Sequence, residues 1–248
     1  MSSYLKLDTT LPAGPNYLDI NKYLLPTSVL NLGGIVNAYK LDVGLDDFFG
    51  TGSTVVGTPV KDTNGYFLGN AGYIDTGLKE SDEFTWVALF KVKVTGVESP
   101  IISNFVDKTL STTGFHLGGN VSRQNNRFKL SNSTDSAMIF ANGNMVLDKW
   151  CLVAVTRKFE PTTGFKYHFA HKPEGVATEV KSSIVGTSSK NTEQNICIGW
   201  TPKGGSTIPN SSQLINFASI HNKSISSAEL STLMSNLVSD FSSRGINL

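Results

Sequence analysis

Glu80, Asp82 and Glu83 stand together in the run ESDE, and neighbouring carboxylates are the usual means of cleaving a glycosidic bond. Retaining hydrolysis needs one carboxylate to attack and another to protonate, and the spacing sought for such a pair is E-x-D-x-x-E. Here Glu83 follows Asp82 directly and falls on the opposite face, so the run reads as a solvated turn. His116, His168, His171 and His221 are scattered, none in an H-E-x-x-H pair, and read as surface or packed residues. Around Ser53 the sequence GTGST does not fit a G-x-S-x-G elbow. GWTPKGGS, from Gly199 to Ser206, has Gly205 where a phosphate loop needs lysine. Cys151 and Cys197 lie in apolar runs, WCLVAV and NICIGW, and are expected as buried free thiols. No catalytic residues and no enzyme are expected.

Recognition by a surface is the chemistry left. Sugar binding stacks an aromatic face on a pyranose ring and satisfies its hydroxyls with amides and cationic groups. Two segments offer that mixture: Trp200, Lys203 and Asn210 in the loop 199–212, and Asn120, Arg123, Asn125, Asn126 and Arg127 in the turn GGNVSRQNNRF. The competing reading is that Trp200 caps the core and the Asn-rich turn is ordinary. The 248 residues carry a net charge of +1 with no Lys/Arg run, which gives no footprint for nucleic acid. No apolar run approaches the roughly 20 residues of a membrane span, so no membrane insertion is expected. The N-terminus MSSYLKLDTTLPAGP lacks the basic start and apolar core of a secretory signal, and the sequons at Asn120, Asn132, Asn210 and Asn222 are expected to be inert.

The elements that must position these residues are mainly strands. Apolar residues make up 39% and charged residues 17%, the rest being rich in Ser, Thr, Asn and Gly. From Gly65 to Val94 the chain runs through two short segments and a long alternating strand. Phe84, Trp86, Ala88, Phe90, Val92 and Val94 share one face, and Thr85, Lys91 and Lys93 the other. This reads as a half-buried strand at the edge of a β-sandwich. DDFFGTGSTVVG reads as a loop, and KWCLVAVTRKF and GFKYHFAHK as a hairpin around Pro161 to Gly164. The fold predicted is all-β, a two-sheet antiparallel sandwich. One closing helix is predicted over about 227–242: Ser226 and Glu229 make a capping box, Ile225 and Leu230 a hydrophobic staple, and Leu230, Leu233, Met234, Leu237, Val238 and Phe241 an apolar stripe. Residues 1–31, punctuated by Pro12, Pro15 and Pro26, read as an extended arm for docking or oligomerisation, with residues 32–248 forming the domain.

Three ordered segments carry a family resemblance: the F-x-G-x-x-x-Y-I-like stretch with Phe84-Thr85-Trp86, the W-x-x-V-A-V-T segment from Trp150 to Thr156, and the closing stretch from Phe217 to Leu233. Together they resemble the concanavalin A-like jelly rolls of laminin-G type. That resemblance implies a jelly-roll sandwich with lectins and glycanases among its members. Its alginate-lyase members use a grouped Tyr, His, Arg and Gln set not found on strands here; Tyr167 and His168 point to opposite faces. It also implies calcium as the cation to consider at the loop rim, with Asp46, Asp47, Asp107 and Asp135 the available acids. None of these lies in a dense D-x-D or D-x-N motif, and no cofactor is expected. The composition, arm and absent catalytic sets suggest a tailed-bacteriophage virion protein, a tail fibre, tail tip or capsid decoration, made in the host cytoplasm without a signal peptide. Expected partners are other virion subunits through the arm, a cell-surface glycan and copies of the chain itself, with a trimer favoured. A purely structural adaptor and a polysaccharide-degrading enzyme are the alternatives.

Overall fold

The computed structural model describes residues 24–50, 52–93, 99–113, 117–122, 127–132, 135–140, 146–185, 191–204 and 212–248. Most of the expected arm, residues 1–23, lies outside them. Within them fifteen strands pair antiparallel throughout, and two helices accompany them. One sheet runs β15 (Ser212–His221), β6 (Phe84–Lys91), β11 (Trp150–Glu160), β12 (Gly164–Pro173) and β13 (Glu179–Val185), with β1 (Ile35–Lys40) on the free side of β15. The other runs β10 (Asp135–Phe140), β9 (Arg127–Asn132), β8 (Gly119–Ser122), β7 (Pro100–Ser103), β14 (Cys197–Ile198) and β5 (Gly72–Asp75), flanked by β2 (Thr54–Gly57). β4 (Gly65–Gly69), with β3 (Val60–Asp62) on its outer side, links the sheets by pairing with both β15 and β5. The handover falls at a bulge between Ile215 and Phe217, where β15 exchanges β4 for β1.

Alternation along the strands builds two cores. Phe84, Trp86, Ala88, Phe90 and Val92 point between the sheets, where they meet Val153, Val155, Tyr167, Phe169, Ile198 and Ile215. Val87 and Leu89 point the other way and, with Leu152, Ala154, Ala170 and Phe217, receive the closing helix. Two expectations about this strand are thereby corrected. β6 is not at the edge, since β11 and β15 flank it, and its second face is covered rather than solvated, so every residue from Phe84 to Phe90 is buried. Lys91 alone keeps a partly exposed side chain, its ammonium lying over the Trp150 ring.

The closing helix α2 (Ser227–Ser242) begins as expected, with both halves of the capping box between Ser226 and Glu229 formed. Leu230, Leu233, Met234, Leu237 and Phe241 are its buried stripe. Ile246 N donates to Phe241 O and Gly245 N to Ser242 O, a Schellman closure that uses the left-handed φ of Gly245. The helix is anchored at its start as well. Thr156 Oγ1 receives Ile225 N, and Thr85 Oγ1 donates to Lys223 O, so two buried hydroxyls of the sheet fix the connecting turn. The β11–β12 hairpin forms with Glu160 opposite Gly164.

Two short elements were not anticipated. TVVG, read as part of a loop, is strand β2, and α1 (Thr27–Leu32) is a second, six-residue helix. α1 packs on α2: Leu25 and Val29 are buried in the helix-side core, and Ser28 donates to Asp240 through both its N and Oγ. The described end of the segment read as an arm therefore rests on the domain.

Candidate functional site

Trp200 and Lys203 stand on a turn whose shape is set by a glycine. Gly199 has φ +88°, and its N–H still donates to Ile101 O as the last bond of the β14–β7 ladder. A Cβ there would lie 2.1 Å from Leu68 Cβ, so no other residue fits. By register the chain would then pass beyond Pro100. Instead Thr201 Oγ1 donates to Phe105 O at 2.6 Å and Asp107 N donates to Lys203 O at 2.8 Å, so the turn folds back along 105–107. Gln194 clamps it from the other side: its Nε2 donates to Thr201 Oγ1 at 2.8 Å and its Oε1 accepts from Lys203 N at 3.0 Å. Trp200 is left half-buried and Lys203 part exposed, on a turn tied through Thr201 and Lys203.

Polar groups surround that turn. The Glu193 carboxylate accepts from Thr112 N at 3.0 Å, Thr112 Oγ1 at 2.5 Å and Ser111 Oγ at 3.2 Å, with Lys203 Nζ 3.5 Å away. The Thr112 hydroxyl and, to a lesser extent, its backbone amide and Ser111 hold this carboxyl below the usual carboxylate range. An ammonium, a carboxylate and several hydroxyls thus meet at one rim, built from residues 107–113 and 191–204, with half-buried Trp200 on the same turn as Lys203. These groups can stack on a sugar ring and exchange hydrogen bonds with it.

Beneath the rim lies a buried network that sequence reasoning missed. Arg157 continues the inward register of Val153 and Val155 but is charged, and its guanidinium stacks over Phe165 at 4.3 Å and Phe84 at 4.9 Å. Its Nη1 donates to Glu80 Oε1 and its Nη2 to Ser81 O. Glu80 Oε2 accepts from Asn191 N at 2.7 Å and Asn104 Nδ2 at 3.2 Å. Glu80 is only 3% exposed, so the expectation that it lies in a solvated turn is wrong, because Arg157 supplies a buried counter-charge. A charged residue in a core-facing position of β11 was the available signal.

Of the other expected site residues, Asn120 is not in a surface turn. It is fully buried in β8, opposite Ser103, and cannot reach a surface ligand. Arg127 opens β9 opposite Ser122, while Arg123, Asn125, Asn126 and Asn210 lie outside the described residues. β8 and β9 are separated from β14 by β7, so the two expected segments belong to different strands of the same sheet. Among the acids considered for calcium, Asp47 accepts from Asn37 Nδ2, Ala38 N and Phe49 N, and Asp107 from Thr109. Among the described residues no three His, Cys, Asp or Glu side chains are grouped to hold a metal. No helix among them is long and apolar enough to cross a membrane. Cys151 and Cys197 are buried and unpaired by any disulfide, and burial raises both thiol pKa values.

The fold is a jelly-roll β-sandwich. Solved structures that share it include the Trypanosoma rangeli sialidase in complex with sialic acid, with a TM-score of 0.54 and 15% identity over 84% of this chain and 33% of that one. Domain 4 of AbnA, a GH43 extracellular arabinanase from Geobacillus stearothermophilus, in complex with arabinotriose, gives 0.53 and 14% over 80% of this chain and 97% of that domain. A botulinum neurotoxin type C structure, described with two ganglioside molecules, gives 0.51 and 16% over 85% of this chain and 53% of that one. The chain therefore spans about a third of the sialidase but nearly all of the arabinanase domain. No protein-family model matches the chain, and no curated protein does.

Proposed function

We propose that this chain is a non-catalytic, lectin-like domain that binds carbohydrate at the Trp200–Lys203 rim. The observation that carries the proposal is the half-buried tryptophan held on a turn that four hydrogen bonds tie to 105–107 and Gln194. A prepositioned aromatic face loses little freedom when a sugar stacks on it. In support, the arabinanase domain matched over nearly its whole length was described with arabinotriose. Titration of the chain with a panel of oligosaccharides tests this. Binding that disappears in Trp200→Ala supports it; binding of none, or binding indifferent to Trp200, defeats it.

The setting we propose is the surface of a bacteriophage virion, where a trimer would add avidity to a weak single site. The Pro-punctuated N-terminal segment and the polar, weakly charged composition support that setting. Because Leu25 and Val29 are buried with α2, the proposal assigns such contacts to residues 1–23 rather than 1–31. A chain starting at Leu24 should stay folded and become monomeric; a truncated chain that still forms trimers contradicts this part of the proposal.

A further inference from the structure

Glu80 is where three separate parts of the chain meet. Its carboxylate accepts from Arg157 on β11, from Asn104 just after β7 and from the backbone of Asn191 just before β14. Asn191 passes this on: its Oδ1 accepts from Glu193 N at 2.8 Å and Gln194 N at 3.3 Å, and its Nδ2 donates to Asn104 O. Gln194 then holds Thr201 Oγ1 and Lys203 N, the two ends of the Trp200 turn. Three relays, Glu80 to Asn191 to Gln194 to the turn, connect a charge pair inside the sandwich to the turn that carries the half-buried tryptophan. Every member is at least 94% buried apart from the turn's own Trp200 and Lys203.

The path has little slack. Asn104 Oδ1 accepts from Gly119 N at 2.8 Å, and a Cβ on Gly118 would fall 2.5 Å from both Asn104 O and Asn104 Oδ1. Apolar residues of similar volume would stabilise the core as well as a buried ion pair does, whereas only directional acceptors can fix three loops at once. We propose that Glu80, held by Arg157, is a positioning residue for the rim: it sets the place of Trp200 and Lys203 from inside the sandwich and touches no ligand. Its consequence for binding rests on the carbohydrate reading of that rim; its consequence for rim order does not.

The experiment is amide hydrogen exchange on the full-length chain carrying Glu80→Gln, which keeps the volume but places an amide donor among three donors. The amides of Asp107, Glu193, Gln194 and Lys203 are expected to exchange at least about tenfold faster, while those of Val87 and Leu152 in the covered sheet keep their protection. Asn191→Ala leaves the Arg157–Glu80 pair in place and cuts the next relay, so it should loosen Gln194 and Lys203 in the same way even if Glu80→Gln fails to fold. Rim amides that stay protected in Asn191→Ala, or that loosen only in step with Val87 and Leu152, overturn the proposal. A loosened rim in a protein whose wild type binds no sugar would uphold the positioning role and reject the carbohydrate reading. Sugar binding with an unchanged rim in both variants would do the reverse.

Discussion

Replacing Gly199 with alanine should cost far more than the same change at Gly175, although both glycines have left-handed φ, +88° and +74°. The left-handed conformation penalises any L side chain by roughly 1–2 kcal/mol, partly offset by about 0.4–1 kcal/mol from a stiffer unfolded chain. At Gly175 nothing lies within 4 Å of the new Cβ, so that difference, about 1 kcal/mol, is the whole effect. At Gly199 the Cβ would meet Leu68 Cβ at 2.1 Å and the Leu68 C and Cα at 3.0 and 3.1 Å. Leu68 is fully buried on β4, so neither its side chain nor its backbone can swing away, and overpacking of this kind adds about 1–3 kcal/mol. The sum is about 2–4 kcal/mol, or a fall in Tm of roughly 4–16 °C for a chain of this size, against about 2–4 °C at Gly175. Urea unfolding of both variants, followed by circular dichroism with m-values checked for constancy, gives the comparison. Equal destabilisation at the two positions, or less than about 1 kcal/mol at Gly199, would refute the steric argument and with it the claim that the Trp200 turn is fixed by this close approach.

Ser226→Ala removes the capping box and should cost about 1 kcal/mol, read as a shifted urea midpoint; no shift would mean that α2 is held by its apolar stripe alone. His171 and His221 are fully buried, and burial lowers both pKa values to about 4. The unfolded chain therefore takes up their protons first, and the contribution of these two histidines to stability should be flat above about pH 6.5 and fall between there and about pH 4. The slope approaches two protons, about 2.7 kcal/mol per pH unit. His171→Leu should remove about half of that slope in pH-dependent unfolding; an unchanged slope contradicts the assignment. Burial keeps Cys151 and Cys197 protonated, so a thiol reagent should modify them no faster than the chain unfolds. Rapid modification of either in native protein would show that its strand opens locally.

The fold was legible because its signals are local and periodic. Alternation from Phe84 to Phe90 places one residue set between the sheets and the other on the helix, and Ser226, Glu229 and the leucine stripe specify the helix start and its buried face. What alternation cannot say is whether the second face of a strand is wet, and here Val87 and Leu89 were the residues that announced a cover. β2 was hidden because its residues are mostly exposed and its only described partner is β5. Of the candidate site, what the sequence made legible is that Trp200 and Lys203 lie on one turn. The groups that shape the turn, Gln194, Asn191, Asn104 and Glu80, come from segments up to 114 residues apart and show no local pattern. Asn120 was misread for a similar reason, since only its register opposite Ser103 reveals that it is buried.

Sugar binding at the Trp200 rim can be observed on the sugar itself. Saturation-transfer NMR on the full-length chain, against an oligosaccharide mixture and with Trp200→Ala as the matched control, makes that observation. Transfer to ring protons of at least one sugar is expected, and its loss in the variant, with both proteins equally folded. Transfer of equal strength in both, or none to any sugar from the wild type, would contradict it.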